Sequence, residues 1–153
     1  MEKVTPEALR ELLDYDPETG VLTWRVRAPK WFLLPQQAEY WNRQYAGKEA
    51  LTAKSRNGNY RVGLVLKKRL RASRVAYAHY HGRWPNRLID HINGDTLDNR
   101  IVNLRDVSDL TNCRNMARYS TNTSGVTGVH WHKECQKWHA TIHVKGKSVY
   151  LGL

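Results

Sequence analysis

Between Ile89 and Asn112 the chain concentrates carboxylates, amides and one imidazole among short apolar runs, and this pattern constrains the fold more than any other part of it. The stretch reads Ile89-Asp90-His91-Ile92-Asn93-Gly94-Asp95, then Asp98-Asn99-Arg100, Asn103-Leu104-Arg105 and Asn112. Asn103 follows His91 by twelve positions and Asn112 follows Asn103 by nine. Groups this close in sequence converge if a strand, a loop, a second strand and a helix follow one another directly. Residues 87–91 read as the first strand, Asn93-Gly94-Asp95 as a tight turn or loop start, and residues 104–107 as the second strand. Ser108 is placed to N-cap a helix to about Arg118, which carries Asn112 in its first turns. The set then offers a hard ligand in Asp90, a candidate base in His91, a brace in Asn103 and a second ligand in Asn112. Neighbours on a strand point to opposite faces, so Asp90 and His91 share one site only if the strand is irregular or the substrate spans its edge.

The distribution of charge says what such a site would act on. The 153 residues carry a net charge of +11, which favours an acidic polymer as partner. From Leu51 to Ile89 the charged residues are Lys54, Arg56, Arg61, Lys67, Lys68, Arg69, Arg71, Arg74, Arg83 and Arg87, with no acid among them. A solvated basic face would explain part of this run; its continuity beside an acidic pocket favours phosphate contact. Cys113 and Cys135 form no CxxC pair, so neither a disulfide framework nor a zinc ribbon is expected. No apolar stretch approaches a membrane span and no signal peptide opens the chain; without a disulfide framework a reduced cytoplasm is the simpler expected setting.

Elsewhere the pattern predicts small elements. Thr5-Pro6-Glu7 begins a helix whose Leu9, Leu12 and Leu13 form a stripe to about Asp14. Asp16-Pro17-Glu18-Thr19-Gly20 is a turn before a strand over residues 21–26. Trp31, Phe32, Tyr40, Trp41 and Tyr45 suggest a loop pinned by aromatics over residues 28–49. After a turn at Asn57-Gly58-Asn59, alternation places Tyr60, Val62, Leu64 and Leu66 on one strand face, and Lys67-Lys68-Arg69 turns the chain. A helix is expected from about Ser73 to Tyr80, ended near Gly82 and Pro85. Residues 119–124 read as a linker, followed by strands at 127–131, 138–144 and 147–151. One face of this last sheet carries Trp138, Ala140, Ile142 and Val144, while His130, His132, Thr141 and His143 suit contact with phosphates and base edges. Such a sheet needs a cover for its apolar face, so a following helix is expected and the chain reads as truncated. The regions are then 1–50 (helix, strand and aromatic loop), 51–118 (basic hairpin, helix and polar core, the core at about 87–118), the linker 119–124, and 125–153.

The core motifs resemble those of HNH endonucleases, in the branch found among phage homing endonucleases. Asp16-Pro17-Glu18-Thr19-Gly20 with Leu22-Thr23-Trp24, and His81-Gly82 with Trp84-Pro85, are similar to the same branch. The tail Asn122-Thr123-Ser124-Gly125-Val126-Thr127-Gly128-Val129, Trp131, Lys137-Trp138, Ala140 and Tyr150-Leu151-Gly152 resembles the Apetala/ethylene-response-factor type of DNA-binding domain. The resemblance implies an α+β protein with a ββα-metal (His-Me finger) nuclease core, an N-terminal helix/strand region and a C-terminal three-stranded antiparallel sheet. It implies Asp90 and Asn112 as ligands of one Mg²⁺ or Mn²⁺, His91 as general base and Asn103 as the residue holding it. Many such enzymes have histidine where this chain has Asn112, and His-Arg where it has Ser73-Arg74.

The chemistry suits those residue types. An imidazole with an ordinary pKa of roughly 6.5 can take a proton from water near neutral pH. Carboxylate and amide oxygens are hard donors suited to Mg²⁺ or Mn²⁺. The expected partner is double-stranded DNA, bound by a monomer through Arg61, Lys67, Lys68, Arg69, Arg71, Arg74, Arg87, Arg105, Arg114, His130, His132, Thr141 and His143. The expected products carry 5′-phosphate and 3′-hydroxyl ends. Asn93, Gly94, Asp95, Asp98 and Asn99 are expected to shape the loop rather than bind. Two other readings remain open: a non-catalytic sequence-specific DNA-binding regulator with a decayed site, and an RNA-binding module built on the basic run.

Overall fold

The computed structural model describes residues 4–108, 121–144 and 146–152. The chain divides into two units, Met1–Asn115 and Met116–Leu153. The first opens with helix α1 (Pro6–Leu12), whose N-cap Thr5 side chain accepts from Ala8 N at 3.2 Å and whose first residue is proline. The helix stops at Leu12, two residues short of the expected end. Leu13 turns extended and starts strand β1 (Leu13–Tyr15), paired antiparallel with β2 (Leu22–Trp24) across the Asp16–Gly20 turn. Asp16 closes that turn by accepting from Glu18 N at 2.9 Å and from the Thr19 hydroxyl at 2.7 Å.

The aromatic segment departs from expectation. It holds a 3₁₀ turn (Pro29–Trp31) and an α-helix, α2 (Gln37–Tyr45). Only Ala38 of α2 is buried, so the helix shows no apolar stripe that periodicity could detect. Trp41 is its anchor, edge-on to Trp24 at 5.5 Å and covered by the Arg27 guanidinium 3.8 Å from its ring centroid. Asn42 fixes the same contact by exchanging two hydrogen bonds with the Arg27 backbone.

A three-stranded antiparallel sheet follows, β3 (Ala53–Lys54), β4 (Arg61–Val65) and β5 (Lys68–Arg71), with β4 in the centre. Its burial departs in part from the alternation read in the sequence: Val62 is buried and Leu66 packs against the core, but Leu64 is not covered. Val65 is fully buried, whereas Leu64 is 63% exposed. The inward face is the one shared by Gly63 and Val65, because Leu51 lies against Gly63 so closely that a Cβ there would stand 2.8 Å from Leu51 Cα. The hairpin turns at Leu66-Lys67, both with positive φ, one position before the lysine–arginine run expected to turn it.

Helix α3 (Ala72–His81) runs through the centre of this unit and ends at Gly82, whose N–H donates to Ala78 O at 3.0 Å. Val75, Ala76 and Ala78 are fully buried, and Val75 and Ala78 share one hydrophobic core with Leu9, Leu12, Leu13, Leu22, Leu51 and Val65. The first fifty residues therefore complete the core on which the following sheet and helix rest. The ribbon of β6 (Leu88–His91) and β7 (Leu104–Val107) comes next, in register Asp90↔Arg105 and His91↔Leu104. Asp106 secures its entry by accepting from Asn86 N and Arg87 N at 2.8 and 3.0 Å. The helix expected to begin at Ser108, which would complete a ββα core, lies outside the described residues apart from Ser108.

In the second unit β8 (Val129–His132), β9 (Lys137–Val144) and β10 (Lys147–Gly152) form an antiparallel sheet with β9 central. Asn122 and Ser124, read as linker in the sequence, are tied into the loop before β8: Asn122 Oδ1 accepts from Gly125 N at 2.9 Å and the Ser124 hydroxyl donates to Val129 O at 2.8 Å. Mixed helices and small antiparallel sheets make the protein α+β. Among the described residues no helix is long and apolar enough to cross a membrane.

Candidate active site

The β6–β7 ribbon and the loop joining its strands present the polar cluster. His91 is 3% and Asp90 7% exposed, on opposite faces of the ribbon as adjacent strand residues must be. Burial lowers the His91 pKa below its ordinary value, and the Asn99 hydrogen bond works against that shift. His91 Nε2 stands 3.4 Å from Asn99 Oδ1. Because that oxygen can only accept, the contact favours the proton on Nε2 and leaves Nδ1 as the basic nitrogen. The Tyr60 ring, 6.3 Å away centroid to centroid, flanks the imidazole and is itself covered by the Arg71 guanidinium at 4.3 Å.

Asn103 is 5% exposed. Its side chain clasps the intervening loop, accepting from Asn93 N at 2.9 Å and donating to Asp98 O at 2.8 Å, while its carbonyl accepts from Ile92 N at 2.9 Å. It thus fixes the backbone leaving His91. Inside the loop, Asn93 and Asp95 form successive Asx turns, accepting from Asp95 N and Leu97 N. Asp98 binds Arg100 through Nε at 2.9 Å and Nη2 at 2.6 Å; these bonds hold its pKa down at about 2. The ring contact from Asn99 escapes sequence reasoning, since Asp98-Asn99 reads equally well as a turn former.

Asp90 Oδ2 accepts from Arg105 Nε at 2.8 Å and Nη2 at 2.6 Å, a charge-assisted pair that offsets the cost of burying the carboxylate. Arg105, expected on DNA, is engaged by the expected metal ligand. Asn112 and Arg114 lie outside the described residues. Among the described residues no group of three or more His, Cys, Asp or Glu side chains could hold a metal ion. The chemistry of the donor that is described, a carboxylate oxygen, fits Mg²⁺ or Mn²⁺.

The basic residues divide by face. Arg69 and Arg71, both exposed, share one face of the β3–β5 sheet with the exposed Leu64 and the buried Val62, beside Tyr60. Arg61 and Lys68 are on the opposite face, where Arg61 pairs with Glu49. Arg74 donates to the carbonyls of Arg87 and Pro85, Arg87 is exposed, and Lys67 occupies the exposed hairpin turn. In the second unit the strand register places His130, His132, His139, Thr141 and His143 on one face, with His130 Nε2 3.1 Å from His139 Nδ1. Trp131 and Trp138 pair on the other at 5.3 Å.

Residues 70–114, which run from β5 through α3 and the whole ribbon, match the family model for HNH endonuclease. The chain is also similar to Protein 3.8 of Escherichia phage T7, 41% identical over 59 residues, which is 39% of this chain and 49% of that protein. It thus spans about half the length of the curated relative it matches. No solved structure matches the chain.

Proposed function

We propose that the protein is a metal-dependent DNA endonuclease of the HNH homing type, cutting phosphodiester bonds to leave 5′-phosphate and 3′-hydroxyl ends. The observation that carries this reading is the buried His91, held at Nε2 by Asn99 inside the segment similar to HNH endonucleases, with the buried carboxylate of Asp90 on the other face of the same ribbon. In this mechanism His91 accepts the proton of the attacking water through Nδ1. Asp90 and Asn112 would hold one Mg²⁺ or Mn²⁺, which supplies Lewis-acid stabilisation of the scissile phosphate. Asn103 keeps the loop after His91 in place. Arg69 and Arg71 line a basic surface next to Tyr60 that suits the approaching backbone of duplex DNA. The histidine face of the second unit would add contacts of the Apetala/ethylene-response-factor type, on a monomer working in the cytoplasm of a host cell.

The Asp90–Arg105 pair favours one other reading, a non-catalytic DNA-binding regulator, because a guanidinium there satisfies the carboxylate that a cation would use. Incubating the chain with supercoiled plasmid and Mg²⁺ or Mn²⁺ separates the two. The nuclease reading predicts conversion to nicked or linear DNA, abolished by chelator, with 5′-phosphate ends. Duplex binding without cutting under either ion would contradict it and support the regulator.

A further inference from the structure

The N-terminal hairpin sits on the backbone of the residue that contacts His91. Tyr15, at the end of β1, donates its hydroxyl to Asn99 O at 2.7 Å. Ile101 N donates to Pro17 O at 3.2 Å, so the turn also meets the chain just beyond Asn99. Between these contacts Gly20, at φ +75°, approaches so closely that a Cβ would stand 2.5 Å from both Asn99 C and Arg100 N. No side chain fits there, because the collision would be with the peptide backbone joining Asn99 and Arg100. These three contacts clamp residues 99–101 to the hairpin. Asn99 is 3% exposed, and its side chain continues the path to His91 Nε2 at 3.4 Å.

The hairpin is itself rigidly based. Leu13 and Leu22 are buried in the main core, and the Tyr15 ring meets His79 of α3 edge-on at 5.9 Å. His79 Nε2 lies 3.0 Å from Leu13 O, anchoring β1 to the helix. An unbroken chain of contacts therefore runs from the core through Tyr15 and Gly20 to Asn99 and on to the imidazole. We infer that Tyr15 and Gly20 are positioning residues for His91, acting through Asn99 to set its tautomer and ring angle. The inference rests on the reading of His91 as general base for its activity readout, but its geometry is measurable without activity.

Tyr15→Phe is the decisive variant, because it keeps the ring against His79 and removes only the hydroxyl that holds Asn99. Asn99→Leu removes the acceptor at Nε2, and Gly20→Ala displaces the clamp. Two readouts are needed on the full chain. In plasmid nicking, kcat should fall about ten- to a hundredfold in each variant while KM for duplex stays near the wild-type value. In nitrogen NMR of the metal-free protein at mildly alkaline pH, the His91 ring should lose its preference for the Nε2–H tautomer in Tyr15→Phe and Asn99→Leu. Thermal unfolding of Tyr15→Phe verifies that the fold persists. Wild-type kcat together with wild-type His91 nitrogen shifts in Tyr15→Phe and Asn99→Leu would overturn the clamp and leave the nuclease reading intact. A chain inactive throughout, whose tautomer still shifts in Tyr15→Phe, would support the clamp and remove the nuclease reading.

Discussion

His91 and the two amides near it show how neighbouring polar residues take different duties. Asn103 directs both ends of its side chain to the backbone of the loop, whereas Asn99 turns its oxygen to the imidazole. The spacing to His91 marks Asn103 as the residue expected to hold the imidazole, whereas its side-chain bonds go to the loop; the ring contact of Asn99 is not legible, because an asparagine after aspartate has the same appearance in any Asx turn. Burial of His91 has a consequence for pH. With its pKa below the usual 6.5, the imidazole stays neutral and able to accept a proton in mildly acidic solution. Nicking rates should therefore rise to a plateau with an inflection below pH 6.5; an inflection above that value would contradict the assigned environment. Stability follows the same sign. His79 and His91 both have lowered folded pKa values, mainly through burial, so the unfolded chain takes up their protons more readily. Their contribution is complete above the unfolded value and is lost as pH falls through the folded ones. The urea midpoint of the first unit should accordingly drop between neutral pH and pH values below 6.5.

At the level of elements, the sequence is readable where one signal dominates. Thr5-Pro6 marks the start of α1, and α3 and the ribbon strands fall within a residue or two of their expected bounds. It misleads where packing partners decide. The even positions of β4 are the more apolar and Val62 is buried, yet the face that packs on the main core is the one where Leu51 lies against Gly63, which no local pattern reveals. Helix α2 is hidden for the opposite reason: it is anchored by one tryptophan and a stacked arginine rather than by a stripe. The β4 assignment makes a sharp prediction. Val65→Ala should destabilise the protein by about 2 kcal/mol, whereas Leu64→Ala should change it by less than about 0.5 kcal/mol. Chemical denaturation of both variants checks this, and the reverse order would place the strand one residue out of register.

Across the molecule, charge and chemistry occupy adjoining places. The net charge of +11 is not spread evenly over function: Arg61, Arg100 and Arg105 pair with acids, and Arg74 ties down carbonyls. Arg69 and Arg71, on the sheet face beside Tyr60, are therefore the proposed phosphate contacts among the described residues. Replacing both by alanine should weaken duplex binding and reduce the slope of log affinity against log salt by about one for each phosphate no longer neutralised. Binding with an unchanged slope would move the DNA path elsewhere. Proton transfer by His91 during DNA cutting is decided by one substitution, His91→Ala, with plasmid nicking and a duplex mobility shift measured on a single preparation. Nicking should fall by about a hundredfold or more while duplex affinity is retained. Undiminished nicking by His91→Ala would contradict a catalytic role for the imidazole.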